Sequence, residues 1–460
     1  MTALNAALAK LDANLDAALA RLFQLLEIPS VSTDPAYKPQ CERAAQWICD
    51  ELAGLGFAAS VRPTPGHAMV VGHARAARAG APHVLFYGHY AVQPPDPLDL
   101  WEAEPFKPRL ADAPTGRRIV ARGAADDKGQ VMTFIEACRA LRDSGGLPCH
   151  VTILIEGEEE TGSPSLPAFI AAHGAEIKAD VALICDTNMW DQRTPAITTS
   201  LRGLVLEEVV IKGAARDLHS GLFGGAAINP IRVLSRIISG LHDDNGRITL
   251  AGFYDGVAET PDEIKAQWAS LKFSDPDFLR EVGLSVCAGE KGRGVLEAIW
   301  ARPTCDVNGI IGGYTGKGSK TVLPAQASAK FSFRLVGAQN PAKIAASFRN
   351  FVRARLPADC KAEFIAHGAS PAQQLPLTSP ALSRARAALA EEWGRPAVLI
   401  GGGGSIPIVG TFKRDLGMDS LMIGFGLDDD RIHSPNEKYE LSSFHKGARS
   451  WVRVLCGLAG

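Results

Sequence analysis

The chain has 460 residues, 46% of them hydrophobic and 21% charged, with a formal net charge of -2. That length exceeds what one hydrophobic core organises, so two domains are expected. The near-neutral balance gives no footing for nucleic acid or an acidic membrane as partner, and no run of about 18 apolar residues is present to span a bilayer. The nine cysteines are scattered and never paired as C-x-x-C, which reads as reduced thiols in a cytoplasmic protein.

Residues 1–30 carry apolar side chains at helical spacing, broken by Lys10, Asp12 and Asp16. This predicts a surface helix and not a signal peptide. Next come an amphipathic helix over CERAAQWICDELAGLGF (41–57), a buried strand HVLFYGH (83–89) and a helix GQVMTFIEACRALRDSG (129–145). Strands HVTILIEG (150–157) and DVALICD (180–186) follow. The alternation predicts an α/β layer with a mostly parallel central sheet covered on both faces.

Near residue 200 the texture changes. LRGLVLEEVVIKG (201–213) and ASAKFSFRLV (327–336) alternate like half-exposed strands, with helices at 229–241 and 343–356 and a further strand at 360–368. This predicts an inserted α+β sandwich over 200–369, splitting an α/β domain into 1–199 and 370–460. The first texture returns with a helix at about 380–393 and a strand SLMIGFG (420–426).

The chemistry collects at strand ends. HVLFYG ends at His89, HVTILIEG leads into Glu158-Glu159-Glu160, VALIC ends at Asp186, and SLMIGFG leads to His433, while Asp126-Asp127 precedes a helix. Taken singly, these read as a structural histidine, a solvated acidic run and a helix-start pair. Ligands in open α/β sheets gather beyond the carboxyl ends of the strands, so the segments could converge in one crevice. Two histidines and three or more carboxylates placed together suit two neighbouring Zn²⁺ ions, or Mn²⁺ where oxygen dominates. Competing chemistries lack their motifs: GGYTGKGSKT (312–321) fails phosphate-loop spacing, and no G-x-S-x-G elbow exists.

GHY-x-VQP, DLWEAEPF, RGAADDKGQ, IEGEEETGS, ICDTNMW, DLHSGLFGG, KTVLPA, GGGGSIP and RIHSPNEKYE stand in that order. Together they resemble the aminoacylase, carboxypeptidase-G and carnosinase metallopeptidases, peptidase family M-twenty, in its nonspecific-dipeptidase branch. The resemblance implies a zinc-peptidase-like α/β domain carrying an inserted lid that makes a homodimer. It implies Asp126 bridging two divalent ions, zinc with manganese or cobalt as alternatives, with His89 and Asp186 on one ion and Glu160 and His433 on the other. It also implies Glu159 as general base for the metal-activated water, His219 as oxyanion donor from the partner subunit, and Arg334 as the grip on a substrate carboxylate. Thr321, Gly404 and Ser405 match lesser substrate contacts.

The sequence departs from that pattern once: Ala91 stands where the family has the aspartate that orients the first histidine. Loss of such a partner typically costs about 10- to 100-fold in metal affinity or activity. Three readings follow: a dinuclear metal dipeptidase, an amidohydrolase of N-acyl amino acids with the same chemistry, and a peptide-binding homologue impaired at Ala91.

Overall fold

The computed structural model describes residues 2–404 and 406–460. The chain divides into two compact units, one comprising Met1–Thr199, Leu375–Ile400 and Thr411–Gly460, the other Ser200–Gln374 with Gly401–Gly410.

The first unit is built on a sheet whose strands run in the order Ala58–Arg62, Met69–Ala74, His150–Glu156, His83–His89, Val181–Ile184, Asp419–Met422, Ala196–Leu201. The four at the centre, from His150–Glu156 to Asp419–Met422, are mutually parallel, and their neighbours on both sides are antiparallel. Parallel strands sit under helices on both faces, and the apolar runs reflect it: six of the seven residues in His83–His89 are buried. Parallel pairing also sends all four carboxyl ends to the same edge, so His89 stands in register with Glu156.

The helix Lys128–Arg142 lies against this sheet with nearly every residue buried. It packs on Leu441–Ala459 and on two N-terminal helices, Ala3–Ala13 and Leu15–Leu26. An aromatic stack fixes the layer: Phe86 lies 3.9 Å from Phe134, and Trp451 stands edge-on to both. The expected single N-terminal surface helix is in fact two. It breaks at Asn14, and Leu8, Leu11, Leu22 and Leu25 turn into the core. The expected strand at 420–426 is shorter, Asp419–Met422. Beyond it the Phe425 amide donates to the Gln130 side chain at 2.7 Å instead of to a neighbouring strand.

The second unit is an antiparallel sheet in the order Thr304–Gly312, Gln326–Leu335, Gly203–Lys212, Lys361–Ser370. Val205, Val209, Phe331 and Phe333 meet Val233 and Phe348 from the helices Pro230–Ser239 and Pro341–Arg353 in one apolar core. Both helices start on an Asn-Pro pair, in which the asparagine side chain caps a backbone amide two residues on, at 2.9 Å. Gly203–Lys212 alternates buried and half-buried residues as its sequence predicts. The edge strand Thr304–Gly312 was not predicted, because a bulge between Val307 and Gly309 breaks its period.

Candidate metal centre

His89 closes its strand with no solvent exposure. The residue before it must be glycine. A Cβ at Gly88 would lie 2.5 Å from Val131 Cγ2 and 2.8 Å from Asp127 Oδ2, so a side chain would hold the strand off the Asp126-Asp127 turn. The His89 backbone amide then donates to Asp127 Oδ2 at 3.1 Å.

The imidazole is oriented from Ala91. His89 Nδ1 lies 3.1 Å from the Ala91 carbonyl oxygen, an acceptor with no proton to give, so in the neutral ring Nδ1 carries the hydrogen and Nε2 the lone pair. The departure at Ala91 thus leaves this histidine an acceptor for its Nδ1. The missing side-chain carboxylate is replaced by the same residue's backbone. His89 Nε2 faces Asp126 Oδ1 at 3.1 Å, and Glu159 and Asp186 at 3.9 Å each. None of these contacts is aligned as a hydrogen bond, so a fully buried ring nitrogen stands unpaired among carboxylates.

Asp126 divides its oxygens between two histidines, with Oδ1 toward His89 and Oδ2 3.0 Å from His433 Nε2. His433 Nε2 is also 3.2 Å from Glu160 Oε2. Two donor groups result, His89–Asp126–Asp186 and Asp126–Glu160–His433, each with its ligand atoms within 4.8 Å of one another and with Asp126 common to both. Two nitrogens and three carboxylates so placed, with Asp126 in both groups, suit a pair of divalent ions.

The protonation pattern is consistent with that fit. Burial alone would depress the His89 ring, but Asp126, Asp127 and Glu159 hold it well above the ordinary histidine value. Hydrogen bonds to Asp126 and Glu160 lift His433 to about 10. Burial, then the charge on Asp126, pushes Asp186 up to about 7. Without metal, protons occupy the cluster in place of cations.

The three glutamates after the His150–Glu156 strand separate by function. Glu158 is buried and accepts from the His67 and Ser165 amides, both at 2.8 Å, which ties the loop down. Glu159 reaches toward His89, its carboxyl lifted above the usual glutamate value mainly by burial. Glu160 is held by Gln93, whose amide donates to its Oε2 at 2.8 Å. The acidic pair at 126–127 is not a helix cap. Asp127 occupies the cap position without a side-chain cap bond and instead receives the His89 amide and the Cys185 thiol.

Two residues that sequence reasoning passed over hold the ligands in place. Buried Glu437 accepts from the Ala125 and Asp126 amides at 2.8 and 3.1 Å through one oxygen, and from Gly123 and Arg122 at 2.9 and 2.8 Å through the other. Gln93 holds Glu160 as a donor. Both lie inside motifs, RIHSPNEKYE and GHYAVQP, but a single polar loop residue carries no periodic signal.

The remaining predicted residues belong to the second unit. Leu218–His219 pairs with Val322–Leu323, and the Ser220 amide donates to the Thr321 carbonyl at 3.0 Å, so His219 and Thr321 share one short ribbon. His219 Nδ1 accepts from the Gly221 amide at 2.9 Å, which leaves Nε2 as the protonated nitrogen of the neutral ring. Arg334 lies in register with Leu204 and Thr304, and its side chain has no hydrogen bond or ion pair among the described residues. Gly404 is exposed, and Ser405 lies outside the described residues.

Residues 85–456 match the family profile described as Peptidase family M20/M25/M40. The chain is 32% identical to a Cys-Gly metallodipeptidase, DUG1, of Candida albicans, over 94% of this chain and 92% of that one. It is 27% identical to the human Beta-Ala-His dipeptidase, over 94% and 88% of the two chains. Among solved structures it resembles an M20 family metallo-carboxypeptidase, Sso-CP2, of Sulfolobus solfataricus. There the TM-score is 0.79 and the identity 29%, covering 96% of this chain and 99% of that one. The di-peptidase Dug1p of Saccharomyces cerevisiae gives a TM-score of 0.77 at 27% identity, covering 100% and 99%. With these two donor groups and this match over most of its length, the chain belongs to peptidase family M20/M25/M40.

Proposed function

We propose that this chain is a dinuclear metal-dependent dipeptidase, hydrolysing the peptide bond of short peptides that carry a free carboxylate. The observation that carries the reading is the pair of donor groups sharing Asp126 around the unpaired His89 nitrogen. The dipeptidases among its relatives, one of them a metallodipeptidase by name, support it. His89, Asp126 and Asp186 would hold one ion, and Asp126, Glu160 and His433 the other. Zinc suits this mixture of imidazole and carboxylate, and manganese or cobalt accepts the same donors.

When bound, such a pair polarises the scissile carbonyl and lowers the pKa of water at the site toward about 7. Glu159, raised in pKa and beside the cluster, takes the proton of the attacking water and returns it to the leaving amine. His219 of the partner subunit donates its Nε2 hydrogen to the oxyanion. Arg334, free of any acidic partner, grips the substrate carboxylate with both arms of its guanidinium, and Thr321, Gly404 and Ser405 make lesser contacts. The second unit serves as lid and dimerisation domain. Ile310 and Ile311, exposed on its edge strand, support a homodimer. Nine free thiols, most of them buried, support a cytoplasmic setting.

The test is a hydrolysis panel of dipeptides, carboxamide-blocked dipeptides and N-acyl amino acids, with metal content measured alongside. Free dipeptides are expected to be the best substrates, with two ions per chain. Faster turnover of N-acyl amino acids would make the chain a deacylase, and two ions without turnover an impaired binder. Glu159→Gln is expected to lower kcat by about 10²- to 10⁴-fold with metal content unchanged.

A further inference from the structure

The central strands carry a second group of histidines at their opposite ends. His83 and His150 open the strands that His89 and Glu156 close, and they pair in register. With His73, Arg75 and Arg142 they line a surface cavity of about 690 Å³ whose floor includes the buried Thr152.

The hydrogen bonds of this group decide which atoms remain to bind something. His73 Nδ1 and His83 Nε2 lie 3.0 and 2.8 Å from Thr152 Oγ1. His73 Nε2 is 3.1 Å from Glu176. The Ala76 amide donates to His150 Nδ1 at 3.2 Å, so the neutral His150 ring carries its hydrogen on Nε2. Neither the Arg75 nor the Arg142 side chain has an acidic partner or a hydrogen bond among the described residues, and the Arg142 guanidinium lies over the Phe57 ring at 6.0 Å. The cavity therefore offers two unpaired guanidiniums and ring N–H donors.

We propose that this cavity binds a small polyvalent oxyanion of the sulfate or phosphate type, held by Arg75 and Arg142 and by the His150 and His83 rings. Guanidinium forks match tetrahedral oxyanions geometrically, and among the described residues no acid pairs with the two arginines. A metal ion is the poorer occupant. The three histidines do not bring ligand atoms within 4.8 Å of one another, and two of them spend a nitrogen on Thr152.

The site has a built-in pH dependence. Burial, then the neighbouring His150 ring, holds His83 below the ordinary histidine value, while Asp180 opposes them. The other charged groups facing the histidines are Glu176, which also pairs with Arg62 and His173, and the two arginines. At neutral pH the anion meets uncharged His83, and on acidification it gains a cation. An anion that favours protonated His83 binds more tightly as pH falls, and by linkage raises that ring's pKa.

Sulfate is the probe, because its charge is constant across the range. Metal-loaded full-length protein with labelled histidines is titrated with sulfate at fixed ionic strength, at pH 6 and pH 8, following the His73, His83 and His150 ring resonances. Saturable shifts are expected, at least about twofold tighter at pH 6 than at pH 8. Arg75→Gln, at an exposed position, is expected to weaken binding at least about threefold, and Arg75→Gln with Arg142→Gln at least about tenfold, with peptidase activity unchanged. Three outcomes would overturn the proposal: no shift of these rings up to about 100 mM sulfate, binding that survives the double substitution, or shifts with added zinc alone.

Discussion

Protons and metal ions compete for the same lone pairs in the Asp126 cluster. His433, held at about 10, and Asp186, at about 7, both carry protons in metal-free protein at neutral pH or below. Loading the site must displace them, so metal affinity rises with pH, through about 7 on account of Asp186 and up to about 10 on account of His433. Calorimetry at pH 7 in buffers of different ionisation enthalpy should detect release of at least about one proton per chain, and none would contradict the ligand assignment. Ala91→Asp offers the His89 ring a second acceptor when its Nδ1 is already bonded to the Ala91 carbonyl, at a position with no solvent exposure. Metal affinity is expected to stay within about threefold, well short of the 10- to 100-fold typical of a missing partner supplied. A tenfold gain would mean that the carbonyl orients the ring poorly. At this scale the ligand types were legible, because His89, Asp186, His433 and the run Glu158 to Glu160 follow strands and Asp126-Asp127 precedes a helix, while the resemblance singled out Asp126 and Glu160. Their supports were not. A backbone carbonyl has no letter of its own, and Gln93 and Glu437 look like any polar loop residue.

The loop before Lys128–Arg142 keeps its shape because Glu437 gathers three amides and one guanidinium onto a single buried carboxylate. Removing that carboxylate leaves Arg122 buried without its partner. Glu437→Ala is expected to destabilise the first unit by about 3–5 kcal/mol and to lower metal content, read by thermal unfolding and metal analysis. Unchanged metal content in folded protein would show that Asp126 is placed without Glu437. Elements with a clean period were readable. His83–His89 is a continuous apolar run, Gly203–Lys212 alternates, and Lys128–Arg142 is a long run uninterrupted by proline. Thr304–Gly312 escaped because its bulge and exposed isoleucines follow neither period, and the break at Asn14 escaped because the helical spacing continues on both sides of it.

Across the whole molecule, every candidate ligand lies in the first unit. Metal that binds only the folded form stabilises that unit by about 2.7 kcal/mol at a hundredfold excess over Kd. Chelation is expected to lower the first unit's unfolding temperature and leave the second unit's unchanged, which calorimetry with and without chelator would resolve. Equal shifts in both would mean that the units unfold together. The long reach of the Glu437 contact also bears on how the protein is made. Glu437 is synthesised 311 positions after the Asp126 amide it holds, and the segments that complete the first unit begin only at Leu375, after nearly all of the second has been laid down. A chain leaving the ribosome can therefore finish most of its second unit while the acidic turn at 126–127 still lacks its anchor. During that interval the carboxylates destined for the cluster have neither Glu437 beneath them nor His433 between them, and the last loop to emerge is the one that closes the site.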